Sequence, residues 1–215
     1  MTDAEDLVRR ARDDNPPGGN RFLDLLEASA VPHERLTWLA GEQWHIVRSD
    51  RRSFALFAAR FPEPPAGDLF LALAGGEGTA LGLLTGFAAA LGRTEAALRA
   101  YEPRPLAQAY PAYLAWSALS GTRSGLALAM LANLQEWGAY CGRAANALTA
   151  RYGLAEEDVA FFRYFAVPPP GFAEQATAVI EQGLTAGEDP REALRAARLL
   201  HAYESAFWAA LAEGL

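Results

Sequence analysis

The chain has 215 residues, 51% of them hydrophobic and 21% charged, which supports one domain with a sizeable core and excludes intrinsic disorder. The net charge is −7 and all 19 basic residues are arginine. Those totals argue against a nucleic-acid surface and exclude a lysine Schiff base or a P-loop lysine. The lone Cys141 leaves no partner for an intrachain disulfide, and residues 1–14 are charged, without the apolar run of a signal peptide. A cytoplasmic protein is expected, and the Ala-, Gly- and Arg-rich usage fits a GC-rich bacterial genome.

In chain order, residues 3–13 have an acidic start with Leu7, Val8 and Ala11 at helical spacing, and the run 15–19 (Asn-Pro-Pro-Gly-Gly) ends them. Asn20 is placed to cap a short helix carrying Phe22, Leu23, Leu25 and Leu26. Pro32 opens the longest periodic stretch, which runs to about Arg60. Residues 62–65 (Pro-Glu-Pro-Pro) stop it. Asp68 starts a helix that the glycines at 75, 76 and 78 are expected to interrupt, and Thr79 resumes it to Leu91. Thr94 opens a short helix to Tyr101, and Pro105 precedes another that ends near Gly121. A second long helix is expected from Thr122 to Tyr152, with Gly153 placed as its C-terminal glycine. Residues 156–165, 172–184 and 190–212 complete the set. No segment alternates with period two and no repeat appears, so the expected fold is an all-α single-domain helical bundle over residues 1–215. The apolar run 69–91 has the spacing of buried helices, so a membrane span is not expected.

Polar residues on inward helix faces need partners or a task. Glu42 and His45, three apart beside Trp38, Leu39 and Ile46, share a helix face. Their E-x-x-H pattern is how bundles present a carboxylate and an imidazole to a metal, and it is also a common exposed pair. His201 and Glu204 repeat the spacing on the last helix. Glu136 sits among Met130, Leu131, Leu134 and Trp137, with Tyr140 one turn on. If buried and unpaired, its pKa would rise and suit general acid or base work; otherwise it is a surface glutamate beside a tryptophan. Cys141 reads as a small buried apolar residue, with no histidine or lysine near it in sequence. Aromatic stripes, Trp208 and Phe207 included, are ordinary core, but several inward tyrosines each need a partner for a hydroxyl.

Across most of its length the chain resembles the TenA/THI-4 (thiaminase II-like) family of the heme-oxygenase-like fold. Glu42 and His45 fall where members carry an acidic residue and a tyrosine. Glu136 and Tyr140 fall where they carry the nucleophilic cysteine and a tyrosine, and Tyr164 matches a later tyrosine. Tyr110 or Tyr113 fits the remaining one. Residues 204–208 (Glu-Ser-Ala-Phe-Trp) reproduce the family's E-x-x-F-W pattern. The resemblance implies an enzyme acting on an aminopyrimidine-like or other nitrogen-containing aromatic compound. Glu136 and Glu204 would form a catalytic carboxylate pair in place of the cysteine. Glu42, His45, Tyr110, Tyr113, Tyr140, Tyr164 and Phe207 would bind the substrate, and no cofactor or metal is implied. Other proteins of the fold activate oxygen at nonheme iron. In that alternative Glu42, His45, Glu136, His201 and Glu204 would be the ligands, although Leu194 and Arg198 stand where further late ligands would be needed. A third reading is a non-catalytic ligand-binding or regulatory homologue. The expected partner is a small molecule; the apolar helices also permit a homo-oligomer.

Overall fold

Helix ends in the computed structural model, which describes residues 3–16 and 18–215, are set by local chemistry. Asn20, Thr94 and Thr122 each accept a backbone N–H with the side chain at an N-terminus. Gly153 closes a C-terminus at φ 72°, a left-handed conformation that glycine adopts without penalty. The helices so bounded are α1 (Asp3–Asp14), α2 (Arg21–Glu27), α3 (His33–Arg60), α4 (Ala66–Ala90) and α5 (Glu95–Arg99), then α6 (Ala109–Ser120), α7 (Arg123–Tyr152), α8 (Ala160–Ala166), α9 (Phe172–Thr185) and α10 (Pro190–Ala212). No strand occurs among the described residues. Met1, Thr2 and Pro17, one residue of the 15–19 breaker, lie outside them.

The expected interruption at the glycines of α4 does not occur. Each interior glycine disfavours helix by about 1 kcal/mol, yet α4 runs unbroken along α3, its principal neighbour. Two of the glycines admit close neighbours. A side chain at Gly76 would meet the Tyr164 hydroxyl at 3.1 Å, and one at Gly78 would meet the Arg51 guanidinium at 3.2 Å. Tertiary packing therefore overrides propensity here. By length and composition α4 could cross a membrane, but its middle carries Glu77, on the face that lines the cavity described below. A smaller difference concerns α8, which starts at Ala160 after a turn and not at residue 156.

Two apolar clusters hold the bundle together. One gathers Phe22, Trp44, Phe87, Phe161, Phe162, Phe207 and Trp208; the other gathers Phe54, Phe57, Phe70, Leu126, Phe172 and Ile180. Each fully buried phenylalanine among them contributes about 1.5–3 kcal/mol by leaving water. A cavity opens where the clusters meet, since its walls include Val47 and Phe207 from the first and Phe54, Leu69 and Phe172 from the second.

Candidate active site

The cavity has a volume of about 650 Å³, enough for a small organic molecule. Helical periodicity decides which residues face it. Gln43, Val47, Asp50 and Phe54 form one stripe of α3; Leu69, Leu73, Gly76 and Glu77 face them from α4. Met130, Asn133, Leu134 and Trp137 do the same on α7, and Glu204 and Phe207 on α10. Tyr110 projects from α6, Tyr164 and Phe165 from α8, and prolines 168–170 form part of the wall before α9.

Glu204 is 6% exposed. The Asn133 amide donates to its Oε2, while Oε1 has no hydrogen-bond partner. Burial raises its pKa from 4.5 to about 7, against a lowering by Asn133; the charge of Glu136 also raises it, while His201 and the nearby Trp208 indole lower it, the indole without closing a hydrogen bond. A carboxyl that is half-ionised near neutrality can both give and take a proton.

A second acidic position lies on the α3 and α4 walls. Asp50 is 3% exposed and its Oδ1 has no partner. Burial pushes its pKa well up, against the Tyr110 hydroxyl, which favours the charged form. Glu77 borders the cavity and so keeps some accessible surface, but protein surrounds its carboxyl; burial, then the charge of Asp50, raise its pKa. Tyr110 is pushed up by burial and then by Asp50, Glu77 and Glu204, which places it between the two positions.

Of the residues expected at the site, Glu204, Tyr110, Tyr164 and Phe207 line the cavity together. The others do not. Glu42 lies on α3 about 100° from the cavity stripe and binds the segment before α6. Its Oε1 accepts from the Tyr101 hydroxyl and the Arg104 N–H, both at 2.8 Å, and its Oε2 accepts from the Gln108 amide. His45 Nε2 donates to the Tyr101 carbonyl at 3.2 Å on the same side. Both residues are structural pins. Tyr113 stacks on Trp116 and packs against Tyr203, away from the lining.

Glu136 is the larger correction. On α7 it stands 60° from Asn133 on the side away from Trp137. His201 Nδ1 lies 3.0 Å from its Oε2, while its Oε1 accepts from the Gly18 N–H at 3.2 Å and from the Tyr140 hydroxyl. Burial raises its pKa, but these partners outweigh burial and the net shift is downward, opposite to that of an unpaired buried acid. Tyr140 is tied to the same network through the Gly18 carbonyl. Asn133, not Glu136, is the α7 side chain that reaches Glu204. Cys141 is buried in the core with its thiol pKa pushed up by burial, and it does not border the cavity.

The five proposed iron ligands do not fit a metal site. Glu42 and His45 are engaged by the 101–108 segment, His201 and Glu136 bind one another, and only Glu204 faces the cavity. Among the described residues no three His, Cys, Asp or Glu side chains come together in a cation-holding group.

Residues 21–154 match the model of the TENA/THI-4/PQQC family. The chain belongs to that family. Its fold is shared with solved structures of low sequence identity. A TenA family transcription regulator from Silicibacter sp. TM1040 is 18% identical, with 96% of each chain covered and a TM-score of 0.71. A TenA homologue protein from P. horikoshii OT3 is 15% identical, covering 97% of this chain and 94% of its own at a TM-score of 0.68. A domain of unknown function with a heme oxygenase-like fold from Shewanella denitrificans OS217 is 13% identical, covering 98% and 89% at 0.70. No curated protein matches the chain.

In this TENA/THI-4/PQQC member, the polar cavity residues that the sequence did not assign to the site include Gln43, Asp50, Glu77 and Asn133. A signal for two of them was present. Asp50 completes the stripe Gln43, Val47, Asp50, Phe54, and Asn133 the stripe Met130, Asn133, Leu134, Trp137, each a polar residue inside an apolar helical row.

Proposed function

We propose that the chain is a small-molecule enzyme of TenA type, acting on an aminopyrimidine-like or related nitrogen-containing aromatic compound, with Glu204 as its proton-transferring residue. One observation carries this reading: a buried carboxyl with a pKa of about 7 and an unpartnered oxygen faces a cavity walled by Tyr110, Tyr164, Phe165, Trp137 and Phe207. Such walls suit a flat ring, and the carboxyl suits a ring nitrogen or an exocyclic amine. Hydrolysis needs no protein nucleophile. Protonated Glu204 gives its proton to the departing amine as the carbon–nitrogen bond breaks. Water forms the new carbon–oxygen bond and returns a proton to the carboxylate. Asn133 holds Glu204 in place, and the Glu136–His201 pair acts on it through charge alone.

The test is ammonia release from a panel of aminopyrimidines and aminomethylpyrimidines, with product identified by mass spectrometry. Turnover is expected in the wild type, falling by about 100-fold or more in Glu204→Gln. Equal turnover by that variant would remove Glu204 from the mechanism. Thermal stabilisation by these compounds without product in the wild type would support the non-catalytic binding reading instead.

A further inference from the structure

We propose that the α3–α4 wall of the cavity is a subsite for a protonated organic amine, held between Asp50 and Glu77 beneath the Tyr110 hydroxyl. The molecule bound with its ring at Glu204 would then carry a basic nitrogen some distance from that ring. The inference rests on the reading of the cavity as a substrate site, and it names a feature of the substrate which that reading leaves open.

Three observations support it. Asp50 is buried, lines the cavity and has an oxygen without a donor, although buried acceptors are ordinarily satisfied. Glu77 lies close enough for the charge of Asp50 to raise its pKa further after burial, and the groups acting on the two carboxyls include no cation. Arg51, next to Asp50 in sequence, instead places its guanidinium where a side chain at Gly78 would stand. A ligand cation is therefore the missing partner for two facing carboxyls. The groups around it favour an organic one. Phe54, Leu69, Leu73 and Tyr164 offer apolar and aromatic surface that suits the carbon chain of an alkylammonium and not the water shell of a hydrated metal ion.

The subsite is separate from the acid–base position. Tyr110 senses Asp50, Glu77 and Glu204, but Glu204 is not among the groups acting on Asp50 or Glu77. Without a ligand, burial holds both carboxyls toward their neutral forms, and the charge of Asp50 adds to this at Glu77. An arriving ammonium allows both to ionise, so binding releases a proton to solvent. The titratable groups facing the pair are Tyr110 and Tyr164, both pushed above the ordinary tyrosine value and neutral throughout.

The experiment compares phenylbutylamine with its neutral counterpart phenylbutanol by calorimetry on the full chain, in buffers of different ionisation enthalpy, with magnesium ion as a third probe. The amine is expected to bind at least about ten-fold tighter than the alcohol, as one charge-assisted contact would give, with net proton release. Asp50→Asn and Glu77→Gln should each abolish that preference and the proton release; Glu204→Gln should keep both. Glu77 borders the cavity, so Glu77→Gln serves if Asp50→Asn fails to fold. Equal binding of amine and alcohol by the wild type overturns the proposal, as does a preference that survives Glu77→Gln. Binding of magnesium that is lost in the same variants overturns it in favour of a metal site. Turnover of aminopyrimidines without amine preference would sink this inference alone. Amine preference without turnover would sink only the enzymatic reading.

Discussion

Glu42 and Asp50 lie eight residues apart on α3, both buried, and the fold treats them in opposite ways. Glu42 is saturated: a phenol, a backbone N–H and a side-chain amide converge on its two oxygens and fasten residues 101–108 to the bundle. Asp50 has an oxygen with no donor, and it opens on the cavity. The first arrangement is how a protein uses a buried acid for stability, since both oxygens exchange water for protein donors. The second leaves free energy unclaimed until a ligand arrives. Glu204 belongs with Asp50 in this respect, and Glu136, tied by His201, Tyr140 and Gly18, belongs with Glu42. Burial alone does not distinguish the two arrangements; the donors around each carboxyl do.

Removing Glu42 should break that comparison most visibly. Glu42→Ala leaves three half-buried donors without their acceptor, and a loss of about 3 kcal/mol is expected, a fall in Tm of about 10 °C measured by thermal unfolding. A change below about 1 kcal/mol would show that the 101–108 segment is held by other contacts. Glu204→Gln should act the other way and depend on pH. The folded pKa of about 7 exceeds the ordinary 4.5. The wild type is therefore most stable, relative to its unfolded chain, below the ordinary value, and loses stability as pH rises through 7. Glutamine cannot ionise and escapes that loss. The variant should thus gain up to about 3 kcal/mol over wild type near pH 8, and nothing near pH 4, in denaturant titrations. A pH-independent difference would contradict the raised pKa. Asp50→Asn, for the same reason, should stabilise the unliganded protein at neutral pH by about 1 kcal/mol while weakening amine binding. Stability and binding that fell together would make Asp50 structural, like Glu42. His45→Ala should have the smallest effect, about 1 kcal/mol or less, because it removes a single hydrogen bond to the Tyr101 carbonyl.

Much of the architecture was legible because punctuation is local. Asn20, Thr122 and Gly153 mark their helix ends by side-chain and backbone chemistry that needs no partner elsewhere. The glycine cluster of α4 misled for the opposite reason: its continuity depends on α3 lying alongside. At the site, the E-x-x-F-W pattern pointed to Glu204 and Phe207, and both line the cavity from one helix. Glu136 was placed by spacing to a family cysteine, yet on a helix a shift of three positions rotates a side chain by about 60°, enough to exchange Asn133 for Glu136. Glu42 was beyond the reach of periodicity. α3 is buried on most of its circumference, so its pattern does not reveal which side faces protein and which faces the cavity. Glu77 was hidden among glycines that read as a break.

The three consecutive prolines at 168–170 give the cavity wall a further property. They are exposed, they border the cavity, and none has an amide hydrogen. This stretch of rim presents carbonyl oxygens but no backbone donors of its own, one of those carbonyls already closing on the Phe172 N–H. A visitor bearing hydrogens on nitrogen is met here by acceptors, while an anion finds none of the amides that ordinary backbone would offer. At this edge of the cavity the proline run therefore offers hydrogen-bond acceptors and no backbone donors, a polarity that suits a cationic amine better than an anion.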